Sequence, residues 1–300
     1  MAGWNEILEE VSENRKNKHG ADVVCKKYVK KLSDLTGRNT IAYYSGWLHR
    51  RVGDNVSISD ADMPGFMNAI HGLECSNGLD LILHTPGGQA TAAEAIAEYL
   101  RAKFGNDIRV IVPQLAMSAG TMLACVGKVI IMGKHSSLGP IDPQIAIPGA
   151  GMASAYSIME DLKAAYDEIK KDPMAAPYYR IMLGKYPITI GRVAKDSINL
   201  ASELVKKWLE ENMLKNKSEN EIKKVVDSLN EHEKSKDHSR HFDINKCREF
   251  GLIVESLEYN DNLQDAVLSV HHAITIAMSQ TPVEKIIMNQ NGMFFAHVPK

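Results

Sequence analysis

Two short segments carry the residue types that acyl-transfer chemistry needs. The first is His84-Thr85-Pro86-Gly87-Gly88, which ends an apolar run and precedes a segment of helical composition opening near Thr91. Adjacent glycines at a strand-to-helix turn let the backbone aim its N–H groups at a neighbouring atom, and the start of a helix adds positive potential there. Such a loop holds an anion, either a phosphate or the oxyanion of an acyl-transfer intermediate. Neither G-x-x-x-x-G-K-[ST] nor G-x-G-x-x-G occurs, so a nucleotide has no specific support. The second segment is PQLAMSAGT, Pro113 to Thr121. Ser118 stands at its strand-to-helix junction among small residues, where a hydroxyl is presented as in a nucleophile elbow and the N–H of Ala119 points to where an oxyanion forms. Taken singly, each segment also fits a plainer role, a tight turn for Gly87-Gly88 and a helix N-cap for Ser118.

The elements around the two segments bring them together. Apolar runs at 79–84, 108–113 and 128–132 alternate with Ala-rich stretches at 91–105 and 117–126. Continuous apolar runs between helices mark strands buried on both faces, hence an α/β unit with a parallel sheet. Both loops leave the carboxyl ends of consecutive strands, and a right-handed crossover sets them side by side on one edge of the sheet. Ahead of this unit the chain predicts two helices within residues 1–38, a strand at 39–47 and a helix at 60–73. After residue 150 it predicts helices at 155–172, 195–215, 218–231 and 261–279, and Asn291-Gly292 between two apolar runs signals a final hairpin. The expected division is an N-terminal helical segment (1–38), an α/β core carrying both loops (39–150), and a mostly helical region completing the core and supplying oligomer contacts (151–300). The polar run from Lys215 to Lys236 reads as a solvated helix with a loop.

Composition narrows the function classes. Among 300 residues, 35 Lys and Arg against 37 Asp and Glu leave a net charge of −2, without the basic excess on which nucleic-acid or anionic-membrane binding rests. No apolar stretch approaches the roughly 20 residues of a membrane span, and the acidic, interrupted start MAGWNEILEEVSENR does not resemble a signal peptide. Four Cys at 25, 75, 125 and 247 form no C-x-x-C pair, so neither a disulfide framework nor a zinc site is expected and a reducing cytoplasm is the simplest setting.

HTPGG followed by PQLAMSAGTMLAC resembles the Clp-protease and signal-peptide-peptidase superfamily. The stretches GRNTIAYYSGWL, GLDLILHTPGGQATAAEAIAEYLR, IIMGKHSSLGPIDPQI and CREFGLIVESLE narrow the resemblance to the serine dehydrogenase proteinase family, over about residues 20 to 275. That resemblance implies a Clp/crotonase-like spiral of β-β-α units with an additional helical part. It further implies Ser118 as nucleophile, the N–H groups of Gly88 and Ala119 as oxyanion hole, and Gly87, Leu138 and Gly139 as neighbours of the substrate, the last two on an edge that pairs with the substrate backbone. A protein or peptide substrate, no cofactor and a homo-oligomer go with it.

The proton acceptor stays open between two arrangements. Signal peptide peptidases use a Ser-Lys dyad, in which desolvation lets a lysine accept the proton, and Leu183-Gly184-Lys185-Tyr186-Pro187 is similar to the setting of that lysine. Lys170 and Lys171 also follow Ser118 at a suitable distance along the chain. Clp-type proteases use a Ser-His-Asp triad, for which His135, His238 and His241 are the candidates. Apolar neighbours at Met182, Leu183, Tyr186, Pro187 and Ile188 favour Lys185. His232, His238 and His241 lack the carboxylate or Cys that would complete a compact ligand set, so no metal is expected. His271-His272, on a predicted helix, reads as a packing or oligomer feature. Two other classes fit the same loops: an enoyl-CoA hydratase-like acyl-CoA enzyme, and a non-catalytic peptide-binding module.

Overall fold

The computed structural model describes residues 3–16, 20–48, 54–149, 151–230 and 240–298. Its centre is a seven-stranded sheet built from β1 (Asn39–Ser45), β2 (Leu79–His84), β3 (Ile108–Val112), β5 (Val129–Met132), β9 (Val254–Ser256), β10 (Lys285–Asn289) and β11 (Phe294–His297). The spatial order is β11-β10-β1-β2-β3-β5-β9. The run from β1 to β9 is parallel, while β10 joins β1 antiparallel and β11 closes the final hairpin. Parallel strands need crossovers, and those from β2 to β3 and from β3 to β5 run through α4 (Ala90–Phe104) and α5 (Ala119–Ala124).

Helices cover both faces, which is why the central strands are apolar at nearly every position. On one face α1 (Trp4–Lys16), α2 (Ala21–Thr36) and α11 (Asp261–Ser279) pack on Ala42, Tyr44, Ile82, Ile111 and Ile131. On the other face α3 (Met63–Ile70), α4, α5 and part of α8 (Ile190–Glu211) pack on Tyr43, Leu81, Leu83, Val110 and Ile130, joined by α9 (Glu219–Asn230) and α10 (Ile244–Phe250). A third, smaller cluster lies apart from the sheet, where Ile147, Ala155, Ile158, Ile190 and Ala194 join the hairpin β7–β8 (Gln144–Ile147, Gly151–Ser154) to α6 (Ala155–Lys171) and α8. With α7 (Ala176–Leu183) this unit leaves Tyr166, Met174, Tyr178, Ile181 and Ile188 exposed. None of the helices among the described residues is long and apolar enough to cross a membrane.

One residue of the apolar run at 79–84 breaks the pattern with a physical reason. Asp80 is fully buried in β2, and its two oxygens accept from Arg38 Nε at 2.8 Å and from Arg109 Nε and Nη2 at 2.7 and 2.6 Å. Arg38 also reaches Asp107, which lies beside Lys128. The hydrogen bond from Arg38 holds the Asp107 carboxyl down at about 2. A depressed carboxyl stabilises the fold above its unfolded value of about 4 and ceases to do so as pH falls through its folded value. Asp107→Asn is therefore expected to lower stability at pH 6 by about 1 kcal/mol or less, since the group is half-exposed and screened, and to match the unsubstituted protein near pH 2. Urea unfolding at the two pH values checks this, and an equal deficit at both would show that the loss is not ionic.

Candidate active site

Both loops leave the carboxyl edge of the sheet and are knitted to one another by backbone bonds. Thr85 N–H donates to Leu115 O at 3.0 Å and Met117 N–H to Thr85 O at 3.0 Å, a parallel bridge between Thr85 and the short strand β4 (Leu115–Ala116). Behind it, His84 Nδ1 accepts from Leu115 N–H at 3.4 Å. A Cβ placed on Gly87 would lie 2.7 Å from Ser118 Cβ and 3.1 Å from Ala119 N, so the absence of a side chain there lets one loop lie directly over the other.

Ser118 holds φ 52° and ψ −118°, and among the described residues it is the one non-glycine with positive φ. This is a region that L side chains pay to enter, and such strain concentrates where a side chain must be aimed. Although Ser118 occupies the N-cap position of α5, its hydroxyl makes no capping hydrogen bond. Its side chain is thus left to the cleft rather than used on the helix. At the first turn, Gly120 N–H donates back to Met117 O at 2.8 Å and Met122 N–H to Ser118 O at 3.1 Å, while Ala119 N–H, the first amide of α5, belongs to the turn whose amides have no intrahelical acceptor.

The direction of the Gly88 N–H comes from an element the sequence did not signal. Ile58 N–H donates to Gly87 O at 2.8 Å and Gln89 N–H to Ile58 O at 2.9 Å, a parallel bridge between Ile58 and Gly88. In such a bridge the amides on either side face the partner strand and the central one faces away. Gly88 N–H is therefore turned away from Ile58, and Gly88 lines the same cleft as Ser118. A Cβ on Gly88 would stand 2.3 Å from both Ile58 N and Ile58 O.

The cleft has a volume of about 550 Å³, and its wall combines Gly88, Ser118 and Ala119 with Ile58, Met122, Ile141 and Leu200 of the main core and Met152 of the outlying hairpin. Its polar side chains besides Ser118 are Ser57, Gln89, Thr91, Gln144 and Ser197, and among the described residues it holds no Lys, Arg, His, Asp or Glu. The contributions of Ile58, Met152 and α8 were missed from sequence, whereas Ile141, Pro143 and Gln144 belong to the Leu138–Gln144 stretch that also reads, from sequence, as a candidate peptide-binding edge.

The remaining site residues expected from sequence fall elsewhere. Lys185 is exposed in the turn between α7 and α8, and two of the neighbours expected to desolvate it, Met182 and Ile188, face solvent themselves. The desolvated pocket read from those apolar residues is therefore absent around Lys185 in the single chain. Lys170 is exposed at the end of α6, Lys171 pairs with Glu168 at 2.8 Å, and His135 and His241 are exposed outside the cleft wall. His232 and His238 lie outside the described residues, as does part of the Lys215–Lys236 run. His271 packs inside the fold, its Nδ1 3.3 Å from Tyr44 Oη.

Leu138 and Gly139 require a correction. Leu138, in β6 (Ser137–Leu138), pairs with β4 on one side, and on the other its N–H donates to Phe242 O at 3.0 Å and its O accepts from Phe242 N–H at 2.8 Å. Gly139 N–H donates to Thr121 Oγ1 at 3.0 Å, and Thr121 Oγ1 lies 2.8 Å from Gly139 O. These backbone groups are already paired within the chain and offer no open edge to a peptide.

The strained serine in this cleft is matched by similarity along the chain. The model of a family described as ClpP-like SDH-type serine proteinases matches residues 55–284. The chain belongs to that family. Two uncharacterized proteins of Methanocaldococcus jannaschii are among its relatives. One is 30% identical over 200 residues, covering 66% of this chain and 61% of its own length, and the other is 46% identical over 79 residues, covering 26% and 27%. The chain thus spans about three fifths of the first relative and about a quarter of the second. The residues matched by the family include Ile58, both loops, the cleft wall and the outlying helical unit.

Proposed function

We propose that the protein is a serine peptidase in which the Ser118 hydroxyl, giving its proton to a base, attacks a peptide carbonyl. The C–N bond breaks with the amine leaving as it takes up that proton, and an acyl-enzyme remains. The N–H groups of Gly88 and Ala119 receive the oxyanion, and water then releases the acyl group. The observation that carries this reading is the strained Ser118 backbone with its hydroxyl unspent. A residue held at such cost and not used on its own helix fits a nucleophile better than an N-cap. Membership of a ClpP-like serine proteinase family supports the same reaction class. The acyl-CoA alternative draws no support from a cleft wall that, among the described residues, lacks the carboxylate such enzymes use as base.

The proton acceptor in this reading is a lysine, with Lys185 first. An exposed lysine on the outlying unit, beside apolar side chains that also face solvent, fits a base completed by association of copies, since burying that face would desolvate the amine. The helical unit α6–α8 is accordingly the contact region of a homo-oligomer.

Labelling with a fluorophosphonate probe tests the proposal. The adduct is expected on the tryptic peptide containing Ser118, from a sample that sediments as an oligomer at micromolar concentration, and Lys185→Ala is expected to lose labelling while remaining folded. No adduct, or one at another serine, would remove the acyl-enzyme reading, and a monomer would remove the assembled base. If Lys185→Ala labels normally while His135→Ala does not, a Ser-His arrangement replaces the dyad.

A further inference from the structure

Ile58 aims the Gly88 N–H, yet Ile58 belongs to no helix or extended strand. Its pairing is an isolated bridge, and although its side chain is buried in the main core, apolar packing is non-directional and does not by itself fix where the backbone groups on either side point. What holds it lies behind the cleft. Lys285, the first residue of β10, is 1% exposed, and its Nζ donates to Ser57 O at 2.7 Å and to Asp62 Oδ1 at 2.6 Å. Asp62 is 0% exposed, and its Oδ2 accepts from Ser59 N–H at 3.0 Å and from the Tyr43 hydroxyl at 2.9 Å. His297 Nε2 stands 3.4 Å from Asp62 Oδ1. The residues on both sides of Ile58 are therefore tied to one buried ion pair.

A buried ion pair is a costly way to hold a sheet edge together, because apolar residues of similar volume do so as well or better. Burial indeed pushes the Lys285 ammonium below its ordinary value, while the Asp62 carboxylate pulls it back up. What apolar residues cannot do is grip a carbonyl at Ser57 and an amide at Ser59, two positions apart, in fixed directions. The cation comes from the final hairpin, at the residue just beyond the 55–284 family match.

We propose that Lys285 and Asp62 are positioning residues for the oxyanion loop: the pair fixes Ser57 and Ser59, Ile58 transmits that placement to Gly87 and Gln89, and the Gly88 N–H is thereby kept aimed into the cleft beside Ser118. The catalytic consequence rests on the acyl-enzyme reading of Ser118, while the structural consequence rests on the hydrogen bonds alone.

The test compares the full chain with the double variant Asp62→Leu/Lys285→Met, which removes both charges and keeps an apolar filling, so that folding is retained. Amide exchange at Ile58 and Gln89 is expected to speed up by about tenfold or more while that of β2 and β3 stays unchanged. Peptide turnover is expected to lose about 10- to 100-fold in kcat with KM little altered, the signature of a misaimed transition-state donor. Unchanged exchange at Ile58 and Gln89 would overturn the proposal, and so would uniformly faster exchange through β1, β2 and β10, which is what a merely structural pair produces. Local exchange with kcat unaltered would overturn the catalytic role. If the parent protein shows no Ser118-dependent turnover, the acyl-enzyme reading fails by itself, and the exchange result still decides whether the pair places the loop. Should the double variant not fold, the neutral pair Asp62→Asn/Lys285→Gln, closer in shape to the original, is expected to give the same local change at those two amides.

Discussion

Replacing Ser118 by glycine is expected to abolish peptide hydrolysis and at the same time to raise stability. At φ 52° and ψ −118° the serine sits where glycine sits without cost. Relief of this strain is worth about 1–3 kcal/mol, and the added freedom of an unfolded glycine takes back about 0.5–1 kcal/mol, so a net gain of about 1 kcal/mol follows. Ser118→Ala also loses the hydroxyl but keeps a Cβ in the strained region, and its stability should stay within about 0.5 kcal/mol of the unsubstituted protein. Both variants should lose on the order of 10⁵-fold or more in kcat, as expected when a nucleophile is removed. Urea unfolding beside a peptide-cleavage assay reads the two effects. Full turnover by the alanine variant would exclude Ser118 as nucleophile, and a glycine variant less stable than the alanine one would show that the elbow stores no strain.

Gly88→Ala is expected to damage both the oxyanion hole and the fold. Its added Cβ would meet the backbone of Ile58, with N and O at 2.3 Å and Cα at 2.8 Å, and backbone in a bridge cannot swing aside as a flexible side chain does. The loop must move away from Ile58, which turns the Gly88 N–H from its direction. Loss of one such donor costs about 10²- to 10³-fold in kcat, and the overpacking together with the unfavourable φ of 156° costs about 2–4 kcal/mol of stability. Gly105→Ala serves as the control: its φ of 59° is also positive, yet nothing lies within 4 Å of the added Cβ. That variant should lose about 1 kcal/mol and no activity. Equal kinetic effects at the two glycines would mean that the close approach of Ile58 has no catalytic weight.

Much of the framework was legible because it is written in short-range pattern. The apolar runs became β2, β3 and β5, the periodic segments became α2, α4, α6, α9 and α11, and Asn291-Gly292 turned the last hairpin. The run at 195–215 is helical from Ile190 to Glu211, a boundary difference that leaves its apolar stripe in place. Several elements were not foreseen. The β7–β8 hairpin lies partly exposed and has no sustained alternation, and α7 is a short helix of eight residues whose apolar side chains face outward. The setting of Lys185 differs from the sequence expectation for a related reason: apolar neighbours in sequence predict a desolvating pocket, while in the single chain Met182 and Ile188 share its exposure.

The sequence by itself determined which residue types stand at the two strand ends, Gly87-Gly88 and Ser118-Ala119, and the parallel order of their strands was enough to put them on one edge, because the side-chain period and crossover handedness are local rules. Tertiary structure alone decided how those residues are aimed. The Gly88 amide takes its direction from Ile58, 30 positions earlier, and Ile58 is held through a lysine on the last hairpin. Leu138 loses its open edge to Phe242, more than 100 positions away. These are single hydrogen bonds between distant segments, and nothing in composition or period records them, since a backbone amide is the same group whatever side chain its residue carries.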